Sequence, residues 1–180
     1  MAKHSTRYFT AIAATALLSA GLVGQAGAQT IKIGVNEPLT GPFAASGTYV
    51  VNGAKIAADE INAKGGVLGK KIELVIEDNK SNPTEAAAVA EKLITADKVP
   101  VIMGAWGSSL TLAVMPKLME YKVPMVVETS SSGKITTSGN PYIFRISPPS
   151  SVEAAAFKNI LPKMCGNRRT RPDRLRRPRR

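Results

Sequence analysis

Ile31-Lys32-Ile33-Gly34-Val35, followed by Asn36-Glu37-Pro38-Leu39-Thr40-Gly41-Pro42, is the stretch on which the fold turns. Its first half alternates and is rich in β-branched residues, as a strand does, and its second half is built of turn formers. Beyond it, Val50, Ala54, Ala57 and Ile61 recur at helical spacing over residues 47–63, until Gly65-Gly66 stops the pattern. Residues 71–77 read as a second strand. Asn82-Pro83-Thr84-Glu85 then supplies a helix cap, a proline at the first helical position and a glutamate at the third, ahead of the stripe Ala86, Val89, Ala90, Leu93, Ile94. Residues 100–104 form a third short strand. Ser108-Ser109 reads as the cap of the next helix, which turns Leu112, Met115, Leu118 and Met119 inward and is kinked at Pro116. Residues 124–127 and 142–146 complete the strands, and residues 152–164 form a last amphipathic helix. Strands alternating with helices define an α/β protein with a doubly wound, mostly parallel sheet covered on both faces. Such sheets bind ligands outside the carboxyl ends of their strands, near a switch in strand order. Here those ends carry residues 36–47, 105–109 and 128–132.

The length of 180 residues suits one domain, and a single Cys with a single His excludes internal disulfides and four-ligand His/Cys zinc sites. The net charge of +11 is misleading, because eight of the ten arginines lie in residues 165–180. That segment carries +7 and residues 1–28 carry +2, which leaves +2 for residues 29–164. The body uses thirteen lysines and one arginine, Arg145. The arginine-rich tail begins abruptly inside a helical pattern. It reads either as GC-rich codons translated out of frame or as a disordered nucleic-acid-binding arm.

At the other end, Lys3 and Arg7 precede an apolar run over residues 9–23 and the small-residue site Ala26-Gly27-Ala28. This is the pattern of a secretory signal peptide covering residues 1–28, with an apolar run too short for a stable membrane span. His4 falls within it, so a Ser-His-Asp triad has no base. No G-x-S-x-G elbow, phosphate loop or dinucleotide fingerprint stands in the right context. No enzyme activity, cofactor or metal is expected.

The candidate site lies in the strand-end loops. Gly104-Ala105-Trp106-Gly107-Ser108-Ser109 places two hydroxyls and free amides at a helix start, which suits a carboxylate. Glu128-Thr129-Ser130-Ser131-Ser132 adds hydroxyls, carbonyls and a carboxylate, so the two loops together could hold a zwitterion. Singly, Ser108 is equally well a plain cap and 129–132 a plain polar turn. Trp106, the only tryptophan, either fills the core or shows a face to the ligand.

Ile31-Lys32-Ile33-Gly34-Val35, Leu39-Thr40-Gly41-Pro42, Asn52-Gly53-Ala54 and Asp59-Glu60-Ile61-Asn62-Ala63-Lys64-Gly65-Gly66 together resemble the branched-chain amino-acid-binding proteins. These are type I periplasmic solute-binding proteins of ABC importers. Asp78 before Pro83, Gly104 before Ser108-Ser109, and Val123-Pro124 before the Thr/Ser loop extend the match across residues 29–164. The resemblance implies that Ser108 binds a ligand carboxylate, that Thr129 and Ser131 bind carboxylate and ammonium, and that Ser46 lines the cleft where some relatives carry an aromatic residue. Ser109, Ser130 and Trp106 join them as candidates. The implied ligand is an amino acid or a related organic acid, and the implied partners are ABC permease subunits, with no nucleic acid and no membrane insertion. The resemblance further implies that residues 29–149 are the first lobe of a two-lobed protein and that residues 150–164 cross toward a second. On that reading the chain is a truncated product whose binding is impaired. A sensory ligand-binding domain, or a secreted nucleic-acid binder acting through its tail, are the alternatives.

Overall fold

The computed structural model describes residues 30–165; the signal-peptide and arginine-tail assignments fall outside this range, save Cys165. Five strands alternate with five helices: β1 (Ile31–Glu37), α1 (Ala44–Ala63), β2 (Ile72–Asp78), α2 (Pro83–Thr95), β3 (Ile102–Gly104), α3 (Ser108–Tyr121), β4 (Met125–Val127), α4 (Lys134–Thr137), β5 (Ile143–Arg145) and α5 (Ser150–Cys165). The sheet order is β2-β1-β3-β4-β5, with every neighbouring pair parallel. The doubly wound α/β reading is therefore correct. The chain steps from β1 outward to β2 and then returns across β1 to β3. Right-handed crossovers in opposite directions put α1 on one face and α2 and α3 on the other. The point of reversal lies between β1 and β3, where Val35 pairs with Met103 and Asn36 with Gly104.

The core sits between the sheet and the α2–α3 face, where Leu93, Ile102, Leu110, Val114, Leu118, Met125 and Val127 are fully buried. Helix α2 follows its sequence signals closely. The Asn82 side chain accepts from the amides of Thr84 and Glu85, Pro83 is the first helical residue, and the five-residue stripe is the buried face. Removing this cap in Asn82→Ala is expected to cost about 1 kcal/mol in a urea denaturation experiment.

Helix α1 departs from expectation. It begins at Ala44 and buries Gly47, Val51 and Ala58, while Ala57 and Ile61 of the expected stripe are exposed. Fit against the preceding loop sets the phase. A Cβ at Gly47 would lie 2.1 Å from the Pro38 carbonyl oxygen, so the backbones approach more closely than any side chain allows. In α3, Leu110, Thr111 and Val114 join Met115 and Leu118 on the buried face, and Met119 is exposed instead. Helix α5 carries Val152, Phe157, Ile160 and Leu161 outward, each at least 47% exposed.

Candidate functional site

Because all strands run parallel, their carboxyl ends emerge along one edge, and side chains fix the loops after β1, β3 and β4 there. Asp78, at the end of β2, secures the loop between β1 and α1. Its carboxylate accepts from the Leu39 amide (2.8 Å), the Thr40 amide (3.2 Å), the Thr40 hydroxyl (2.7 Å) and the Lys80 amide (2.8 Å). Burial pulls its pKa upward, but these hydrogen bonds outweigh it and hold the carboxyl below the usual carboxylate range. Ser81 completes the clamp by donating to the Thr40 carbonyl and accepting from the Phe43 amide. The clamp decides where α1 starts, and Ser46 stands half-buried in its first turn.

The loop after β3 carries Trp106, half-buried, with its ring centroid 5.0 Å from that of Phe43 at a tilt of 53°. The residue at the cap of α3 is Gly107 and not Ser108. Ser108 is the first helical residue, and its freed hydroxyl accepts from the Ser132 amide at 3.1 Å. Ser109 follows, exposed, in a turn whose first amides have no partner inside the helix. The loops after β3 and β4 are thus joined through Ser108.

Thr129 is exposed and donates to Glu128 Oε1 at 3.2 Å. Ser130 is only 2% exposed, and its hydroxyl donates to the Ala105 carbonyl at 2.7 Å and lies 2.8 Å from the Thr111 hydroxyl. Its polar group is committed below the surface, where it ties β4 to β3. Ser131 is half-buried, and its carbonyl accepts from the amide and hydroxyl of Ser150. Six of the seven candidates, Ser46, Trp106, Ser108, Ser109, Thr129 and Ser131, therefore keep some surface at this edge. Ser46 stands three residues along the chain from Phe43, whose ring lies against that of Trp106.

Sequence reasoning missed three residues of this edge. Arg145, at the end of β5, donates to the carbonyls of Ser130 (3.2 Å) and Ser132 (2.7 Å) and to the Thr136 hydroxyl (3.0 Å), so one guanidinium shapes the whole loop after β4. Being the lone arginine of the body was its signal. Thr111 gave none. Glu37, fully buried at the end of β1, accepts the Trp106 amide on Oε2 at 3.1 Å. Burial, and then the neighbouring Glu128 carboxyl, push its pKa up to about 9, and burial also raises that of Glu128. No group of three or more His, Cys, Asp or Glu side chains among the described residues is placed to hold a metal. The chemistry available is a surface of hydroxyls and amides beside an aromatic ring, suited to holding a small polar solute.

Residues 30–170 match the family described as periplasmic binding protein, and the chain belongs to that family. The Leu/Ile/Val-binding protein BraC3 of Rhizobium johnstonii is 38% identical over 115 residues, which is 64% of this chain and 31% of that protein. The crystal structure of the branched-chain amino acid transporter substrate-binding protein LivJ from Streptococcus pneumoniae, in complex with isoleucine, matches at 37% identity and a TM-score of 0.71, covering 75% of this chain and 38% of that one. A solute-binding protein of an ABC transporter from Rhodopseudomonas palustris, in complex with 3,4-dihydroxybenzoic acid, matches at 32% identity and a TM-score of 0.68, covering 75% and 36%. The chain thus spans about a third of the length of the relatives it matches. The resemblance read from the strand and loop motifs is correct at the level of the family, whose members are solute-binding proteins and not enzymes. No described helix is long and apolar enough to cross a membrane.

Proposed function

We propose that this chain contributes one wall of the ligand site of an extracytoplasmic solute-binding component of an ABC importer. Its ligand is an amino acid of the branched-chain type or a related small organic acid, and its macromolecular partners are the importer's permease subunits. The observation that carries this reading is the pairing of Ser108 with Ser132 across the carboxyl ends of β3 and β4, beside Trp106. It sets the α3 amides and the Ser108, Ser109, Thr129 and Ser131 hydroxyls along one edge. Amides at a helix start attract a carboxylate, and hydroxyls and carbonyls of the neighbouring loop can take an ammonium. The relatives that carry isoleucine or a dihydroxybenzoate support both ligand classes. Trp106 on Phe43 offers a flat apolar face for either a branched side chain or a benzene ring.

Among the described residues this edge faces solvent on its open side, so the hydrogen bonds it offers stay wet, whereas closed pockets cover roughly 70–90% of a ligand's surface. Weak binding follows. Emission from Trp106, the only tryptophan, is expected to change saturably with isoleucine or with 4-hydroxybenzoate, with a dissociation constant above about 10 μM. The change is expected to weaken at least tenfold in Ser108→Ala. No response to any branched-chain amino acid or hydroxybenzoate up to about 10 mM, or an undiminished response in Ser108→Ala, would count against the reading.

A further inference from the structure

The ends of β1 and β4 flank the end of β3, and each presents a carboxyl group to the other across it. Glu37 Oε1 and Glu128 Oε2 are both buried and have no donor among the described residues. The remaining oxygens are occupied, Glu37 Oε2 by the Trp106 amide and Glu128 Oε1 by the Thr129 hydroxyl. The registers Asn36–Gly104 and Met103–Val126, continued past the strand ends, bring Glu37 and Glu128 level with Ala105 on either side of β3, where one carboxyl meets the other. Two carboxylates this close and this dry cannot both ionise cheaply, and two bare acceptors cannot bond without a proton. One proton between them satisfies both orphaned oxygens at once.

We propose that Glu37 and Glu128 hold a single shared proton at neutral pH, forming a proton-dependent latch that ties β1 to β4 beneath Trp106 and closes the ligand edge from below. The groups that act on Glu37 are Glu128 and the Trp106 amide; those that act on Glu128 are its own amide, Glu37 and Thr129. None of them is a cation. Arg145, on the neighbouring strand, spends its guanidinium on Ser130, Ser132 and Thr136. Gly104 is needed for the closeness of the pair to β3, since a Cβ there would lie 2.9 Å from Glu37 Oε1. The latch goes beyond the ligand reading, because it operates in the ligand-free chain.

The sign of its effect is fixed. The folded chain keeps a proton that the unfolded chain has already lost, so this contribution to stability is complete below the ordinary carboxylate range. It drains away as pH rises toward about 9, the value to which Glu37 is pushed up. Above that, both carboxylates repel, the latch opens, and Trp106 loses its fixed amide partner.

The sole tryptophan makes the opening visible. In the ligand-free 180-residue chain, Trp106 emission is expected to shift in one transition with a midpoint near 9. Glu37→Gln keeps an acceptor for the Trp106 amide and gains an N–H for Glu128, so it is expected to abolish that transition while far-ultraviolet circular dichroism stays unchanged. A flat wild-type profile between about pH 6 and 11, or the same transition in Glu37→Gln, overturns the proposal. If Glu37→Gln does not fold, carbon-13 titration of the wild-type glutamate carboxyls decides. One signal titrating above about pH 7 supports the latch, and every carboxyl titrating below that value refutes it. Loss of ligand binding with an intact transition would sink the functional reading and leave the latch standing.

Discussion

Gly104→Ala is expected to cost about 3–5 kcal/mol of folding stability, enough to unfold much of the population of a marginal domain. Two penalties combine at this position. The backbone has φ of 126°, a region closed to residues with a Cβ, where strain runs to about 1–3 kcal/mol. The added Cβ would also lie 2.4 Å from the Asn36 carbonyl oxygen and 2.9 Å from Glu37 Oε1. The first of these is backbone within the central strand pair and cannot yield without breaking the register of β1 and β3, a further cost of about 1–3 kcal/mol. Gly53→Ala is the matched control. It sits on the exposed face of α1 with nothing within 4 Å of the new Cβ, and it is expected to stabilise by about 0.5–1 kcal/mol. Urea midpoints for the two variants should move in opposite directions.

Asp78→Ala is the second large effect. It removes four hydrogen bonds in one step, three of them to Leu39 and Thr40. Bonds to a charged acceptor are worth more than neutral ones, but Asp78 is partly solvated and its bereft donors can take water, so the expected loss is about 2–3 kcal/mol. Amide exchange at Leu39 and Thr40 should accelerate far more than exchange in α3. The pH dependence follows from the depressed pKa: the contribution of Asp78 is complete above the ordinary carboxylate range and is lost as pH falls through its lower folded value. Glu37 and Glu128 act in the opposite sense, their contribution draining away as pH rises from the ordinary carboxylate range toward about 9. Wild type should therefore lose stability in both directions, and Asp78→Ala should flatten the acid limb alone.

What the sequence made legible follows from how local the signals are. Helix α2 could be read almost residue by residue, because Asn82-Pro83-Thr84-Glu85 and the stripe behind it are all determined within one segment. The phase of α1 could not. Its face toward the sheet is chosen by the smallness of Gly47 and Ala58 against Pro38 and the strands, while more hydrophobic residues such as Ile61 point outward. The same holds at the site. Three consecutive serines carry no period, and only the contacts of Ser130 with Ala105 and Thr111 place it inward while Thr129 faces out. Glu37 reads as an ordinary polar end to a strand. It becomes a buried carboxyl only when β3 and β4 assemble beside it.

On the proposed function, the carboxyl edge at the β1–β3 reversal grips the solute. Backbone amide shift mapping of the nitrogen-15-labelled chain during an isoleucine titration tests it most directly. The largest changes are expected at Trp106, Ser108, Ser109, Thr129 and Ser131. Changes centred instead on Thr30, Lys32, Asp97 and Lys98, which line a cavity at the opposite edge of the sheet, would contradict it.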